Sequence, residues 1–290
     1  MELGAGTVVL IAITLFAAFV NGALGYGFSS LTVPVALLFH SNRILNPALV
    51  LVEVFINLYV LFLNRSAIPA VWRRVAPILI GLAPGIALGS YLIASLHPAW
   101  LKFGTYALLL PLILVQAAGL RRPIRAEKLF GVPFGAGLGF LYSVTTISSP
   151  PLAVLFNNQG LVKKDFRAGL ALIRVAESVL TAVAYWHLGL YVAESQSIFW
   201  AILPGVVIGI PLGAYVIRRL DAETFRRICM SFDVWVVGFG MARVLLELKL
   251  ASGAAAYGPM VAAGLLDAWL LYVFFSKQHV YLRPNRSAAG

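Results

Sequence analysis

Apolar runs of membrane-spanning length recur from one end of this 290-residue sequence to the other, and they decide the fold class before any motif is read. About 20 consecutive apolar residues cross a hydrocarbon core as a helix. A chain that is 61% hydrophobic and only 11% charged cannot bury so many such runs in one water-soluble core. The sequence predicts a broken apolar region over 7–40, spans at 44–63, 74–94 and 99–119, and a second broken region over 129–157. Further spans follow at 167–187, 198–217, 228–248 and 258–275. The expected fold class is an all-α polytopic membrane protein. No basic residue precedes the run from Gly6 to Val20, so it reads as a retained helix rather than a cleaved signal. The single cysteine, Cys229, excludes an internal disulfide framework and a multi-cysteine metal site.

The net charge of +11 would suit a nucleic-acid binder if the cations shared one face, but the basic residues sort into loops. Arg65, Arg73 and Arg74 form one group; Arg121, Arg122, Arg125 and Lys128 the next; then Lys163, Lys164 and Arg167; then Arg218, Arg219, Arg226 and Arg227; and Lys277, Arg283 and Arg286 make a tail. The opposite loops hold only Arg43, Lys102 and Lys249, while Arg174 and Arg243 fall inside spans. The positive-inside rule then places the N-terminus outside and the C-terminus in the cytoplasm of a multi-pass protein of the cell (inner) membrane. Nucleic acid is not an expected partner.

Both flanks of the 129–157 region are basic, so it enters and leaves on one side, and its 29 residues fall short of the roughly 40 that two crossings require. A re-entrant or short-helix hairpin fits. The 7–40 region carries Asn21-Gly-Ala-Leu-Gly-Tyr-Gly-Phe-Ser-Ser-Leu-Thr-Val-Pro34, whose glycines, hydroxyls and proline interrupt an otherwise apolar run. As one straight helix it would be about 51 Å long, against a core of roughly 30 Å. Broken backbone at membrane depth persists only where protein buries it or where it lines a watery cavity.

The chain also resembles itself. A shift of 124 positions lays Ile78–Leu96 on Ile202–Leu220 with ten identities in nineteen positions, including the pairs Gly81/Gly205, Gly85/Gly209 and Gly89/Gly213. Small residues four apart allow helices to pack closely in lipid. The same shift places Glu53 on Glu177, and a slightly shorter one places Pro34–Phe39 on Pro151–Phe156. The expected organisation is a first repeat over 1–119, a cytoplasmic linker over 120–128, a second repeat of inverted topology over 129–248, and an extra helix with a cytoplasmic tail over 249–290. Each repeat is a hairpin plus three helices.

Inverted repeats with broken helices are the pattern of secondary transporters, whose sites form where the discontinuities face each other. A half-helix that begins inside the membrane aims unpaired N–H groups and its positive dipole end into a cavity, which suits an anion. The expected substrate-binding residues are Asn21, Gly25, Gly27, Ser29, Ser30, Thr32, Thr145, Thr146, Ser148, Ser149 and Arg174. No catalytic residue, cofactor or metal is expected. An enzyme would need a nucleophile with a base, and only Ser148-Ser149 with His187 offers a loose arrangement; neither G-x-S-x-G nor H-E-x-x-H occurs. An anion channel would share the hairpins but pass large currents, whereas a carrier saturates at low turnover.

Gly22-Ala-Leu-Gly-Tyr-Gly-Phe-Ser-Ser-Leu-Thr-Val-Pro34 resembles the first glycine-rich signature of the sulfite exporter TauE/SafE family, also called TSUP transporters. Gly135-Ala-Gly-Leu-Gly139, Thr145–Leu155 and Lys163-Lys-Asp-Phe-Arg-Ala168 are similar to its second-half counterpart. The resemblance spans both repeats and implies a carrier of sulfite, sulfoacetate, another organosulfonate or an organic carboxylate. Ser29-Ser30 and Ile147-Ser148-Ser149 stand where the glycine-richest members carry more glycine, which changes pocket size and hydrogen bonding together. The expected partners are a small anionic substrate and the lipid bilayer, with a homodimer allowed for.

Ionisable residues inside spans are costly, so each is a functional hypothesis. Glu53 and Glu177, one per half, are the expected proton-coupling pair, against a plain capping role at their hairpins. Arg174 lies three residues before Glu177 on the same helix face. It either clamps the substrate anion, neutralises Glu177, or snorkels toward the cytoplasm. Asn57 is placed by the cavity or as a helix-to-helix link. Asp233, Arg243 and Asp267 read as structural, Asp233 and Arg243 near the ends of their span.

Overall fold

The computed structural model describes residues 5–25, 27–118, 127–158, 163–216 and 222–281. The expected linker, apart from its last two residues, and the expected tail beyond 281 lie outside these, as do Tyr26, Arg218 and Arg219. The described chain is helical throughout. The helices are α1 (Ala5–Leu24), α2 (Phe28–Ala36), α3 (Asn42–Asn64), α4 (Ile68–Ser95), α5 (Pro98–Ala117), α6 (Glu127–Thr145), α7 (Ser149–Asn158), α8 (Lys163–His187), α9 (Ala193–Val216), α10 (Ala222–Glu247) and α11 (Gly258–Tyr281). Among the described residues, seven helical stretches are long and apolar enough to cross a membrane, and one of them, Asn42–Ser95, contains both α3 and α4. Their outward faces carry Phe55, Ile80, Trp186, Val207 and Leu265, all more than half exposed, as lipid-facing surfaces require. This is a multi-pass membrane protein.

Each broken region is a long leg followed by a short one. In the first, α1 ends as the Gly25 N–H donates to the Asn21 carbonyl at 2.7 Å. The chain then turns through Gly25 and Gly27, whose φ values of 84° and 105° lie where a side chain is strained, and α2 returns as nine residues. In the second, α6 stops at Thr145, Thr146 takes a left-handed φ of 57°, and α7 returns as ten residues. At about 1.5 Å per residue the short legs reach roughly half a bilayer core.

Packing crosses the midpoint of the chain. α4 lies against α6 through glycines so tightly that a Cβ on Gly81 would stand 2.1 Å from the Val132 carbonyl oxygen, and one on Gly85 2.0 Å from that of Ala136. From the other side, a Cβ on Gly135 would stand 2.1 Å from the Ile78 oxygen. α9 lies against α1 in the same manner: a Cβ on Gly213 would stand 1.8 Å from the Phe19 oxygen and one on Gly22 2.0 Å from that of Ile210. The glycine helix of each half therefore grips the long hairpin leg of the other half. Between these two seams α3 packs against α8, which brings the Glu53 and Glu177 helices together. α10 closes one side against α5, α2 and α11.

Three expectations need correction. Arg73 and Arg74 are not loop residues: the link from α3 to α4 is a single 3₁₀ turn, Arg65–Ala67, so α4 is already helical at Ile68 and both arginines sit on it, exposed. Lys128 likewise belongs to α6, Lys163, Lys164 and Arg167 to α8, Arg226 and Arg227 to α10 and Lys277 to α11; Arg227 is buried, its Nη2 donating to Asp267 Oδ1 of α11 at 2.9 Å. Asp233 is not near a helix end, because α10 begins at Ala222 and leaves it eleven residues in, about 17 Å along the axis and 5% exposed. Each error has one cause: hydropathy starts a span after its flanking charges, whereas the helix starts before them.

Candidate functional site

The start of α2 meets the centre of α3, and a carboxylate marks the meeting point. Glu53 is fully buried, and three donors from three elements converge on it. The Ser29 hydroxyl of α2 donates to Oε1 at 2.6 Å, Arg174 Nη2 of α8 donates to the same oxygen at 3.0 Å, and the Tyr142 hydroxyl of α6 donates to Oε2 at 2.7 Å. Arg174 is 3% exposed, and its Nε has no hydrogen-bond partner among the described residues. Asn57 links the same two helices, its amide donating to the Arg174 carbonyl at 3.3 Å.

The second hairpin has a sparser counterpart. The Ser148 hydroxyl donates to Glu177 Oε2 at 2.6 Å, and Glu177 Oε1 has no partner among the described residues. Thr145 and Thr146 spend their hydroxyls on the turn itself: Thr145 Oγ1 donates to the Leu141 carbonyl at 2.7 Å and accepts the Ile147 N–H at 3.1 Å, and Thr146 Oγ1 donates to the Thr145 carbonyl. The two half-helix starts also differ as anion sites. Phe28, Ser29 and Ser30 each carry an N–H at the positive end of α2, whereas Pro150 and Pro151 leave α7 one N–H, that of Ser149, in its first three residues.

The structure thus brings Ser29, Glu53 and Arg174 into one cluster and Ser148 and Glu177 into another beside it. Ser30 and Ser149 face elsewhere, onto a cavity of about 20 Å³ that they share with Gly27, Arg226, Cys229 and Asp233, enough for one water. Asp233 Oδ1 has no partner there among the described residues. Asn21 and Thr32 are buried, with Asn21 Oδ1 and Thr32 Oγ1 unpartnered among the described residues. Gly25 and Gly27 supply the turn. A larger cavity of about 620 Å³ opens between Lys102, Tyr106, Arg243 and Glu247, and no residue of the expected site lines it.

Of the three readings of Arg174, the structure gives it a carboxylate partner, but Glu53 on α3 rather than Glu177 on its own helix. Tyr142 was missed because an aromatic inside an apolar run looks like packing. Its one available signal is position, three residues before Thr145 at the second break.

The sequence was compared with known proteins. Residues 10–241 match the family model described as sulfite exporter TauE/SafE. No curated protein and no solved structure matched.

Proposed function

The chain belongs to the sulfite exporter TauE/SafE family, a family of membrane transporters, and from that premise we propose that it is a secondary transporter of a small sulfur-containing anion. Sulfite, sulfoacetate and other organosulfonates are the substrates proposed. Transport proceeds by alternating access around a midplane site between the two hairpin breaks, in a chain of two inverted repeats whose N-terminus is outside and C-terminus cytoplasmic. One observation carries the reading: a buried guanidinium, Arg174, is held next to the start of α2, where hydroxyl donors and unpaired N–H groups accompany it. A guanidinium offers two parallel donors to an oxyanion, and the positive dipole end of α2 favours the same charge. Ser29 is in this cluster and Ser148 in the Glu177 cluster beside it; Thr32 is a further proposed lining residue, and Ser30 and Ser149, which face the small cavity on the other side, are proposed to join the site only as the hairpins move. Glu53 and Glu177 are the proposed coupling groups, since an anion arriving at Arg174 must contend with the charge on Glu53.

A second reading follows from the same geometry. The donors that hold the Glu53 carboxylate suit a substrate carboxylate equally, so an organic carboxylate carrier is the alternative.

A thermal-shift series on the detergent-purified protein tests both. A ligand that binds only the folded state at about 100 times its Kd stabilises by about 2.7 kcal/mol. Stabilisation by sulfite or an alkyl sulfonate, lost in Arg174→Ala, Ser29→Leu and Ser148→Leu variants that remain folded, is the expected result. Stabilisation by lactate or pyruvate alone favours the alternative, and unchanged binding in both serine variants refutes the placement.

A further inference from the structure

We propose that the Glu53 carboxylate is the resident occupant of the anion site: it holds the position that a transported monoanion takes, and the anion enters as Glu53 accepts a proton. The inference deepens the function proposed above and rests on it.

The geometry around Glu53 is that of a bound ligand. Two donors meet Oε1 and one meets Oε2, from α2, α8 and α6, so a single two-oxygen group satisfies elements that otherwise touch little. The other acidic groups buried at comparable depth are held less completely: Glu177 has Oε1 open, Asp233 has Oδ1 open, and Asp267 has Oδ2 open among the described residues. Among the described residues Arg174 meets Glu53 through Nη2, and its buried Nε has no partner. The cation is held by Glu53 without being saturated by it, leaving a donor for an oxyanion of a different shape.

Charge then selects the substrate class. The Arg174–Glu53 pair is neutral overall, and a buried site tolerates little net charge. When a proton from water binds a Glu53 oxygen and a monoanion takes Arg174, the site is neutral again, so one proton accompanies one monoanion and no net charge moves. A dianion would leave an uncompensated negative charge. The site is therefore built for a monoanionic oxyanion, an alkyl sulfonate or hydrogensulfite, ahead of sulfate, and among the substrates proposed above it disfavours the dianions sulfite and sulfoacetate. The other titratable groups facing Glu53 are Tyr142 from α6 and Arg174 and Glu177 from α8; Ser29 from α2 adds none.

The test measures binding to the full chain in detergent, with methanesulfonate as monoanionic probe and sulfate as dianionic probe, from mildly acidic to mildly alkaline pH. Wild-type affinity for methanesulfonate rises as pH falls, approaching about tenfold per pH unit. Glu53→Gln binds methanesulfonate about tenfold tighter than wild type at alkaline pH, equally at every pH, with sulfate lagging. Glu53→Ala repeats the measurement should the Gln variant misfold. A Glu53→Gln protein that binds no tighter, or keeps the wild-type pH dependence, overturns the proposal. Silence from wild type and both variants does so too, because a site without its resident carboxylate is open. Arg174→Ala separates the two levels. Loss of binding there, without a gain in Glu53→Gln, defeats the inference and leaves the anion site standing; unchanged binding defeats the site itself.

Discussion

Replacing Gly85 with alanine should cost the protein stability by a route that a matched control isolates. An added Cβ at Gly85 would lie 2.0 Å from the Ala136 carbonyl oxygen, where ordinary contact begins near 3.4 Å, so α4 and α6 must part by about 1.4 Å. The neighbour is helix backbone, which cannot rotate aside. Separation by about 1 Å forfeits a quarter to a half of each contact's dispersion well, and Gly81, Gly135 and Gly139 lie on the same seam at 2.1, 2.1 and 2.5 Å. Overpacking of this kind costs about 1–3 kcal/mol and occasionally more. The control is Gly137→Ala on α6, where an added Cβ meets nothing within 4 Å. There alanine's better helix propensity should stabilise by up to about 1 kcal/mol. Thermal unfolding of purified variants reads both: Gly85→Ala melts several degrees below wild type, and Gly137→Ala at or above it. If Gly85→Ala melts with wild type, the seam is not close-packed and the argument fails.

Two further outcomes follow from the ionisable groups away from the site. Removing one partner of the buried Arg227–Asp267 pair, as in Asp267→Ala, should cost about 3–5 kcal/mol because it strands a buried charge, while Arg227→Met with Asp267→Leu recovers most of it; a double-mutant melting cycle checks this. Burial holds His40, in the turn between α2 and α3, below its ordinary value of 6.5, with Lys102 acting in the same direction and Glu194 opposing. The unfolded chain therefore takes up the proton more readily than the folded one. Stability is full above 6.5 and declines as pH falls through that value, and melting temperatures of a His40→Gln variant should lack that decline.

Patterns that recur along the sequence are legible in it, and the contacts those patterns make are not. The glycine spacing in α4 and α9 announced tight helix contacts, but not that Gly85 would meet α6 and Gly213 would meet α1. Glu53 and Glu177 stood out as charges in apolar runs. The partner of Arg174 was sought within its own helix, because helical spacing is the one contact rule a sequence displays; the true partner is 121 positions away on α3. Ser29 was read as a ligand-facing hydroxyl and is one of the three donors at Glu53. Thr145 and Thr146 drew the same reading, yet they are consumed in making the left-handed turn, since a hydroxyl near a break serves the backbone as readily as a ligand.

The two glycine seams also set an order of assembly. α4 and α6 are neighbours in time as well as in space, because the ribosome completes Ser95 shortly before Glu127 emerges. α1 is made long before its seam partner α9, which begins only at Ala193. Until then the narrow strip of bare backbone along Gly22 faces lipid or the insertion machinery. Synthesis that stalls before α9 leaves α1 unseated, and a quality-control factor that senses exposed small-residue grooves would find it there.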